Sequence, residues 1–197
     1  MKRALSPLVV PLAALTLTAC GNGDNHDHAM SGHSMADHSM GASTAPAIAG
    51  HNAQDVRFAQ MMIPHHRQAI VMAQQAATKA SSPQVKELAR QIAQAQGPQI
   101  QTMTGWLKVW GASQPAEGGM HMGDGMMSAE DMKKLDTLSG KAFDQTFLQM
   151  MIKHHQGAIA MAETEQVRGS AAEAKAMAGS IVTSQSAEIT TMRKLLN

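Results

Sequence analysis

Two methionines precede two histidines at the same spacing twice in this 197-residue chain, as FAQMMIPHHRQAI over residues 58–70 and as FLQMMIKHHQGAI over residues 147–159. Residues four apart on a helix lie one turn above each other, so each copy predicts two parallel Met/His lines. The lines pair Met61 with His65, Met62 with His66, Met150 with His154, and Met151 with His155. Thioether and imidazole form a soft ligand set that suits Cu(I) and Ag(I), accepts Cu(II) through histidine, and suits Mg²⁺ or Ca²⁺ poorly.

A helical wheel separates the two lines of the first copy. It puts His66 near the middle of the buried arc and His65 near one edge, which predicts an inner Met62/His66 line and an edge Met61/His65 line. Four further methionines at matched positions are candidate ligands: Met72, Met161, Met103 and Met192. For the last two, plain core packing is an equal alternative.

Core packing is also the alternative for the histidines, because a single buried histidine is usually a hydrogen-bonded core residue. Four histidines on buried arcs favour metal binding, since those faces offer few polar partners besides Asp55, Asp144, Gln96 and Gln185. Two roles fit the aspartates. They are either hydrogen-bond acceptors for a histidine N–H or helix-start residues favoured by the helix dipole.

The paired motif belongs to an internal duplication. A shift of 89 residues carries Asp55 onto Asp144 and Met103 onto Met192 without a gap. Each copy reads as two helices with apolar residues at spacings of three and four. Two amphipathic hairpins bury their apolar faces only against each other, so we predict an all-α fold, an antiparallel four-helix bundle built from duplicated hairpins.

The predicted bundle occupies residues 53–197. Repeat 1 covers 55–111, repeat 2 covers 144–197, and a Gly/Met-rich linker covers 112–128. A short extra helix is expected over 128–138, with Ser128 and Asp131 placed as a capping box variant.

The N-terminus reads as a signal peptide, residues 1–19, in which Lys2 and Arg3 precede an apolar run. It ends in Leu17-Thr18-Ala19-Cys20-Gly21, which resembles the lipobox of bacterial lipoproteins. The resemblance implies lipid modification of Cys20, the only cysteine; an ordinary secretory signal with a free thiol is the alternative. We therefore expect a membrane-anchored lipoprotein of the cell envelope that faces the periplasm or the exterior.

Residues 20–52 predict a disordered tether, because they lack the large apolar residues that offset chain entropy. The tether and the linker both carry His and Met residues, which are auxiliary candidates for weak metal capture. Those in the tether are His26, His28, Met30, His33, Met35, His38 and Met40. Those in the linker are Met120, His121, Met122, Met126 and Met127.

The repeated Asp-x-x-Phe-x-x-Met-Met-Ile-x-His-His pattern resembles a ferritin-like family known as domain of unknown function 305, which includes periplasmic copper-binding proteins of the copper-resistance type. The resemblance spans about residues 55–196. It implies a four-helix bundle with copper held by the Met and His residues of both motifs. In this family a Glu tends to precede the Ile of the second helix, as Glu188 does here, but repeat 1 has Gln99.

Charge excludes nucleic acid as an expected partner. The formal net charge is +1, and removal of residues 1–19 takes away Lys2 and Arg3 and leaves −1 without a basic patch.

The favoured function is non-enzymatic: sequestering Cu(I), and also Cu(II), or passing copper to an acceptor protein. The alternatives are a structural or partner-binding bundle and a metal-dependent oxidase, although di-iron bundles need Glu-x-x-His ligands that this chain lacks.

Overall fold

The computed structural model describes residues 50–115 and 125–197, which form five α-helices and no β-strand. The helices are α1 (Ala53–Lys79), α2 (Pro83–Val109), α3 (Ala129–Thr137), α4 (Gly140–Arg168) and α5 (Ala172–Leu196). The predicted signal peptide, the lipidation site and the tether as far as residue 49 lie outside the described residues. So do linker residues 116–124, which include Met120, His121 and Met122.

Capping residues set the helix starts that the sequence predicts. Asn52 and Asp55 form a capping box on α1, and Ser128 and Asp131 form the expected one on α3. Ser82 caps α2, whose first residue is Pro83. The extra helix expected over 128–138 is therefore α3, Ala129–Thr137.

The two hairpins are α1–α2 and α4–α5, and they pack together mainly through α1 and α4. Helices α2 and α5 touch each other only slightly, and α3 lies against α4. The predicted all-α, antiparallel four-helix bundle is confirmed. No helix within the described parts of the chain is long and apolar enough to cross a membrane.

Two buried aspartates link the hairpins to each other. Asp55 accepts hydrogen bonds from the backbone amides of Ser170 and Ala171, which begin α5 in the other hairpin. Asp144 does the same for the amides of Ser81 and Ser82 at the start of α2. A carboxylate at a helix N-terminus satisfies unpaired amides and complements the helix dipole. Asp55 is therefore a helix-start residue of α1 that also serves α5, whereas Asp144 lies beyond the first turn of α4 and serves a helix of the opposite hairpin.

The core consists of two apolar clusters, one toward each end of the bundle. The first core cluster includes Phe58, Met62, Met103, Trp106 and Met161. The second core cluster includes Met72, Leu88, Phe143, Phe147, Met151 and Met192. Between the clusters each long helix contributes two polar residues that we call together the polar layer: His65, His66, Gln96, Gln99, His154, His155, Gln185 and Glu188.

The end of the linker is fixed on the bundle. Gln68 of α1 accepts a hydrogen bond from the backbone N–H of Met127 at 2.7 Å and donates one to its carbonyl oxygen at 2.9 Å. The Met127 side chain is buried in the second core cluster, and Met126 is half-buried. The expectation that Met127 belongs to a flexible auxiliary patch is therefore wrong, because apolar burial and two hydrogen bonds hold it.

Candidate metal site

The centre of the polar layer is a pair of imidazoles from the two duplicated helices. The ring centroids of His65 on α1 and His154 on α4 lie 3.6 Å apart, and both side chains are buried. Each ring has its sequence neighbour, His66 or His155, at a centroid distance of 6.4 Å. Duplication thus brings four imidazoles into one layer at the α1–α4 interface.

The two outer histidines are each held by the second helix of their own hairpin. Nε2 of His66 lies 2.8 Å from Oε1 of Gln99, and Nε2 of His155 lies 2.6 Å from Oε2 of Glu188. These oxygens are acceptors, so Nε2 donates in both cases. Nδ1 is then the ring nitrogen that remains to bind a metal through its lone pair.

Several buried atoms of the polar layer have no hydrogen-bond partner. They are Nδ1 of His66 and of His155, both ring nitrogens of His154, and the side-chain oxygens of Gln96 and Gln185. A buried polar atom left unsatisfied costs about 1–3 kcal/mol, so such atoms are uncommon in native proteins. Their concentration in one layer indicates a place built for a ligand.

Burial disfavours the charged form of two of the histidines, His66 and His154. It lowers the pKa of His66 to about 4, against the hydrogen bond to Gln99 that raises it. Burial, together with the three neighbouring histidines, holds the pKa of His154 well below its ordinary value. A neutral imidazole is the form that ligates metal, so protons compete little for these two rings near neutral pH.

Thioethers flank the polar layer on both sides. Met62, Met103 and Met161 belong to the first core cluster. Their duplicates Met151, Met192 and Met72 belong to the second. Met61 and Met150 are half-buried and pack at the margins of the first and second clusters. Each cluster thus combines sulfur from both hairpins, which the separate Met/His lines did not predict.

The predicted inner and edge lines agree with the burial of the methionines and differ from the burial of the histidines. Met62 is fully buried and Met61 half-buried, in agreement with an inner and an edge line. His65, however, is 1% exposed and faces α4, because the edge of α1 is covered by the duplicated helix. A helical wheel of α1 alone cannot show that α4 covers this edge.

The partners of the histidines also differ from those expected. The carboxylates of Asp55 and Asp144 bind the interhelical loops. Gln96 and Gln185 keep a side-chain oxygen without a partner, and the outer rings instead contact Gln99 and Glu188. Sequence reasoning missed these two contact residues as part of the site. A matched spacing could have pointed to them, because Gln99 follows His66 and Glu188 follows His155 by the same 33 positions.

Within residues 50–115 and 125–197, no group of three or more His, Cys, Asp or Glu side chains is arranged to hold a metal ion. Imidazole nitrogen alone therefore does not complete a site in this part of the chain. The methionines of the adjoining clusters are the soft donors nearest in sequence to these rings, and a mixed nitrogen and sulfur donor set selects against hard cations.

The family model described as Domain of unknown function (DUF305) matches residues 55–196, which contain all five helices except the first residues of α1. The chain belongs to the DUF305 family. No curated protein matches the chain.

Solved structures of DUF305 proteins are similar to this chain. A protein from Streptomyces coelicolor that is described as secreted is 36% identical, with a TM-score of 0.68, over 73% of this chain and 91% of its own. CopM in a Cu(II)-bound form is 40% identical, with a TM-score of 0.65, over 72% and 95% of the two chains. CopM in a Cu(I)-bound form is 34% identical, with a TM-score of 0.61, over 72% and 94%.

Proposed function

We propose that this DUF305 protein binds copper, preferentially as Cu(I), and sequesters it or passes it on. The observation that supports this most directly is a set of buried ring nitrogens without a hydrogen-bond partner between two groups of thioethers: Nδ1 of His66, Nδ1 of His155 and both ring nitrogens of His154. The forms of the similar protein CopM with Cu(II), Cu(I) and Ag bound support the same choice of metal.

Copper is the cargo in this proposal, and the polar layer is where it is held. The imidazoles of His65, His66, His154 and His155 would supply nitrogen, and the methionines of the two core clusters would supply sulfur. Burial excludes water, which favours a weakly hydrated monovalent ion over a hard divalent one. Because burial lowers the pKa of His66 and of His154, binding to these two rings near pH 7 releases few protons.

Copper titration of the full chain against a chromophoric Cu(I) chelator, with native mass spectrometry, tests the assignment. We expect the His65→Leu/His154→Leu variant to lose at least one tightly held copper, whereas a variant of the exposed His51, His51→Leu, keeps all of them. Retention of every copper by the double variant would refute the site. If leucine prevents folding, His154→Gln is the milder substitution.

The same variants separate copper binding from a purely structural role. A ligand that binds only the native state raises the melting temperature, so copper should stabilise the wild type and not the double variant. A bundle whose histidines serve only packing would show no shift in either protein. An oxidase would consume oxygen on addition of Fe(II) or Cu(I), and we propose that this chain does not.

We also propose that the protein acts outside the cytoplasm on a lipid anchor at Cys20, with the His- and Met-rich tether raising the local copper concentration near the bundle. A Cys20→Ala variant should then leave the membrane fraction and retain copper binding by the bundle. If the variant stayed with the membrane, the anchor would be wrong, although the copper site would be unaffected.

A further inference from the structure

A surface cleft of about 190 Å³ lies between α1 and α4 in the first half of the bundle. Phe58 and Met161 are its buried lining residues, and Met61 lines it half-buried. Ala160 and Thr164 line it from the exposed face of α4. Two thioethers, one from each hairpin, therefore adjoin a cavity with room for an ion and water.

Three positions that line the cleft carry larger side chains in the second half. Gln54 is matched by Phe143, whose ring is fully buried and stacks on Phe147 at a centroid distance of 5.8 Å. Ala160 and Thr164 are matched by Val71 and Gln75, whereas the exposed Arg57 is matched by the smaller Thr146. Met72, the duplicate of Met161, is fully buried, whereas Met161 is 8% exposed. Three of the exchanges therefore add side-chain volume at the duplicate of the cleft.

The end of the linker, residues 125–127, lies on the α1–α4 face that carries the cleft, on the side toward the second half of the bundle. Met127 is hydrogen-bonded to Gln68, which lies two helical turns after Met61. Gly125 lies so close to α4 that a Cβ there would come within 2.5 Å of the Lys153 carbonyl oxygen and 3.1 Å of Gly157. The backbone around Gly125 thus occupies the face next to the second half, and among residues 50–115 and 125–197 no linker residue lines the cleft beside Met61.

The central imidazole pair lies further along the same two helices. His65 follows Met61 by one helical turn, and His154 precedes Met161 by two turns on α4. The rings of His65 and His154 are in contact between those two helices. An ion at the two thioethers is therefore one helical turn from the polar layer along α1 and two turns from it along α4.

We propose that the cleft between Met61 and Met161 is the capture site through which a soft monovalent cation, Cu(I) or Ag(I), enters the polar layer, and that entry is confined to this half of the bundle. The proposal rests on the proposed function. Two thioethers attract a soft ion and hold it less tightly than a site with nitrogen ligands added, which permits onward transfer. Arg57 lines the cleft from an exposed position, where salt screens its charge.

The decisive experiment fills the cleft without removing a ligand. In the full chain, Ala160→Val with Thr164→Gln introduces the residues that the duplicate carries, and Val71→Ala with Gln75→Thr is the matched control in the other half. The initial rate of Cu(I) transfer from its bicinchoninate complex is measured by absorbance, together with the amount bound at equilibrium. Removing the sulfur with Met61→Leu/Met161→Leu should slow transfer by about tenfold, the scale on which loss of a supporting group weakens metal sites.

The filled variant should slow transfer and bind the same final amount as the wild type, and the control should transfer at the wild-type rate. Equal slowing in both halves, or none in either, would overturn the proposal. An absence of Cu(I) binding by the wild type would instead refute the proposed function.

A second measurement needs no variant that could fail to fold. Substoichiometric Ag(I) should shift the ¹³C-methyl resonances of Met61 and Met161 before those of Met72 and Met150. The reverse order would contradict entry at this cleft.

Discussion

The carboxylate of Glu188 lies 2.6 Å from Nε2 of His155, while the duplicated contact, Gln99 to His66, uses a neutral amide oxygen at 2.8 Å. The two halves of the polar layer are therefore alike in geometry and different in charge. A carboxylate behind a ligating histidine orients the ring and makes its other nitrogen a better donor. The halves should differ in copper affinity for that reason.

Exchanging the two acceptors tests this difference. Glu188→Gln should weaken Cu(I) binding by about tenfold, and Gln99→Glu should strengthen it, because a carboxylate polarises imidazole more than an amide does. Competition titration with a Cu(I) chelator measures both. Glu173→Gln, at an exposed position of α5, is the control for loss of charge alone. An unchanged affinity in Glu188→Gln would mean that this contact serves packing only.

Asp144 should contribute to stability and not to metal binding. Asp144→Ala removes the acceptor for the amides of Ser81 and Ser82 at the start of α2, which should lower the free energy of unfolding by about 1–3 kcal/mol. Urea denaturation measures the loss, and Asp144→Asn should restore part of it. Copper affinity should stay at the wild-type value. If a folded variant bound copper more weakly, this carboxylate would instead act as a partner of the metal site.

Glu165 should make the bundle less stable as the pH rises. Burial, reinforced by the nearby carboxylate of Asp55, raises the pKa of Glu165 from 4.5 to about 7. Between these values the folded state holds a proton that the unfolded state has lost, so the free energy of unfolding falls with increasing pH and levels off above pH 7. The loss is on the order of 2–3 kcal/mol after allowance for solvent screening. The lowered pKa of Asp55 acts only in more acidic solution, below its ordinary 3.8.

Denaturation of the wild type and of Glu165→Gln at pH 5 and pH 8 should reveal this contribution as a difference between the two proteins. The comparison is needed because His66 and His154, whose pKa values are lowered, make the folded state gain stability as the pH rises in both proteins alike. The stability of Glu165→Gln relative to the wild type should be higher at pH 8 than at pH 5, and Glu163→Gln, exposed on the same helix, should follow the wild type. An identical pH dependence in Glu165→Gln and the wild type would assign the effect to another group.

Gly125 should be more sensitive to substitution than Gly111. Both have positive φ angles, +82° and +66°, which cost a residue with a side chain about 1–2 kcal/mol. A Cβ at Gly111 meets nothing within 4 Å, whereas one at Gly125 meets backbone of α4. Gly125→Ala should therefore lower the melting temperature more than Gly111→Ala. Equal effects would show that the linker end moves away from α4 without penalty.

Pattern and spacing determined a large part of this molecule. The period of three and four residues predicted the helices, the duplication predicted two similar hairpins, and Ser128 with Asp131 predicted the start of the short α3. The Met/His spacing identified His66 and Met62 as buried, because one face of an amphipathic helix must enter the core. These features depend on residues close together in the chain, so the sequence contains them directly.

Tertiary structure decided which side chains meet. His65 reaches the centre because α4 covers the side of α1 that a single wheel leaves at the edge. Asp55 and Asp144 bind loops of the opposite hairpins, and the sulfur atoms of each core cluster come from both. Contacts between residues about a hundred positions apart depend on how two hairpins dock. Helical periodicity describes each helix alone and contains no information about that docking.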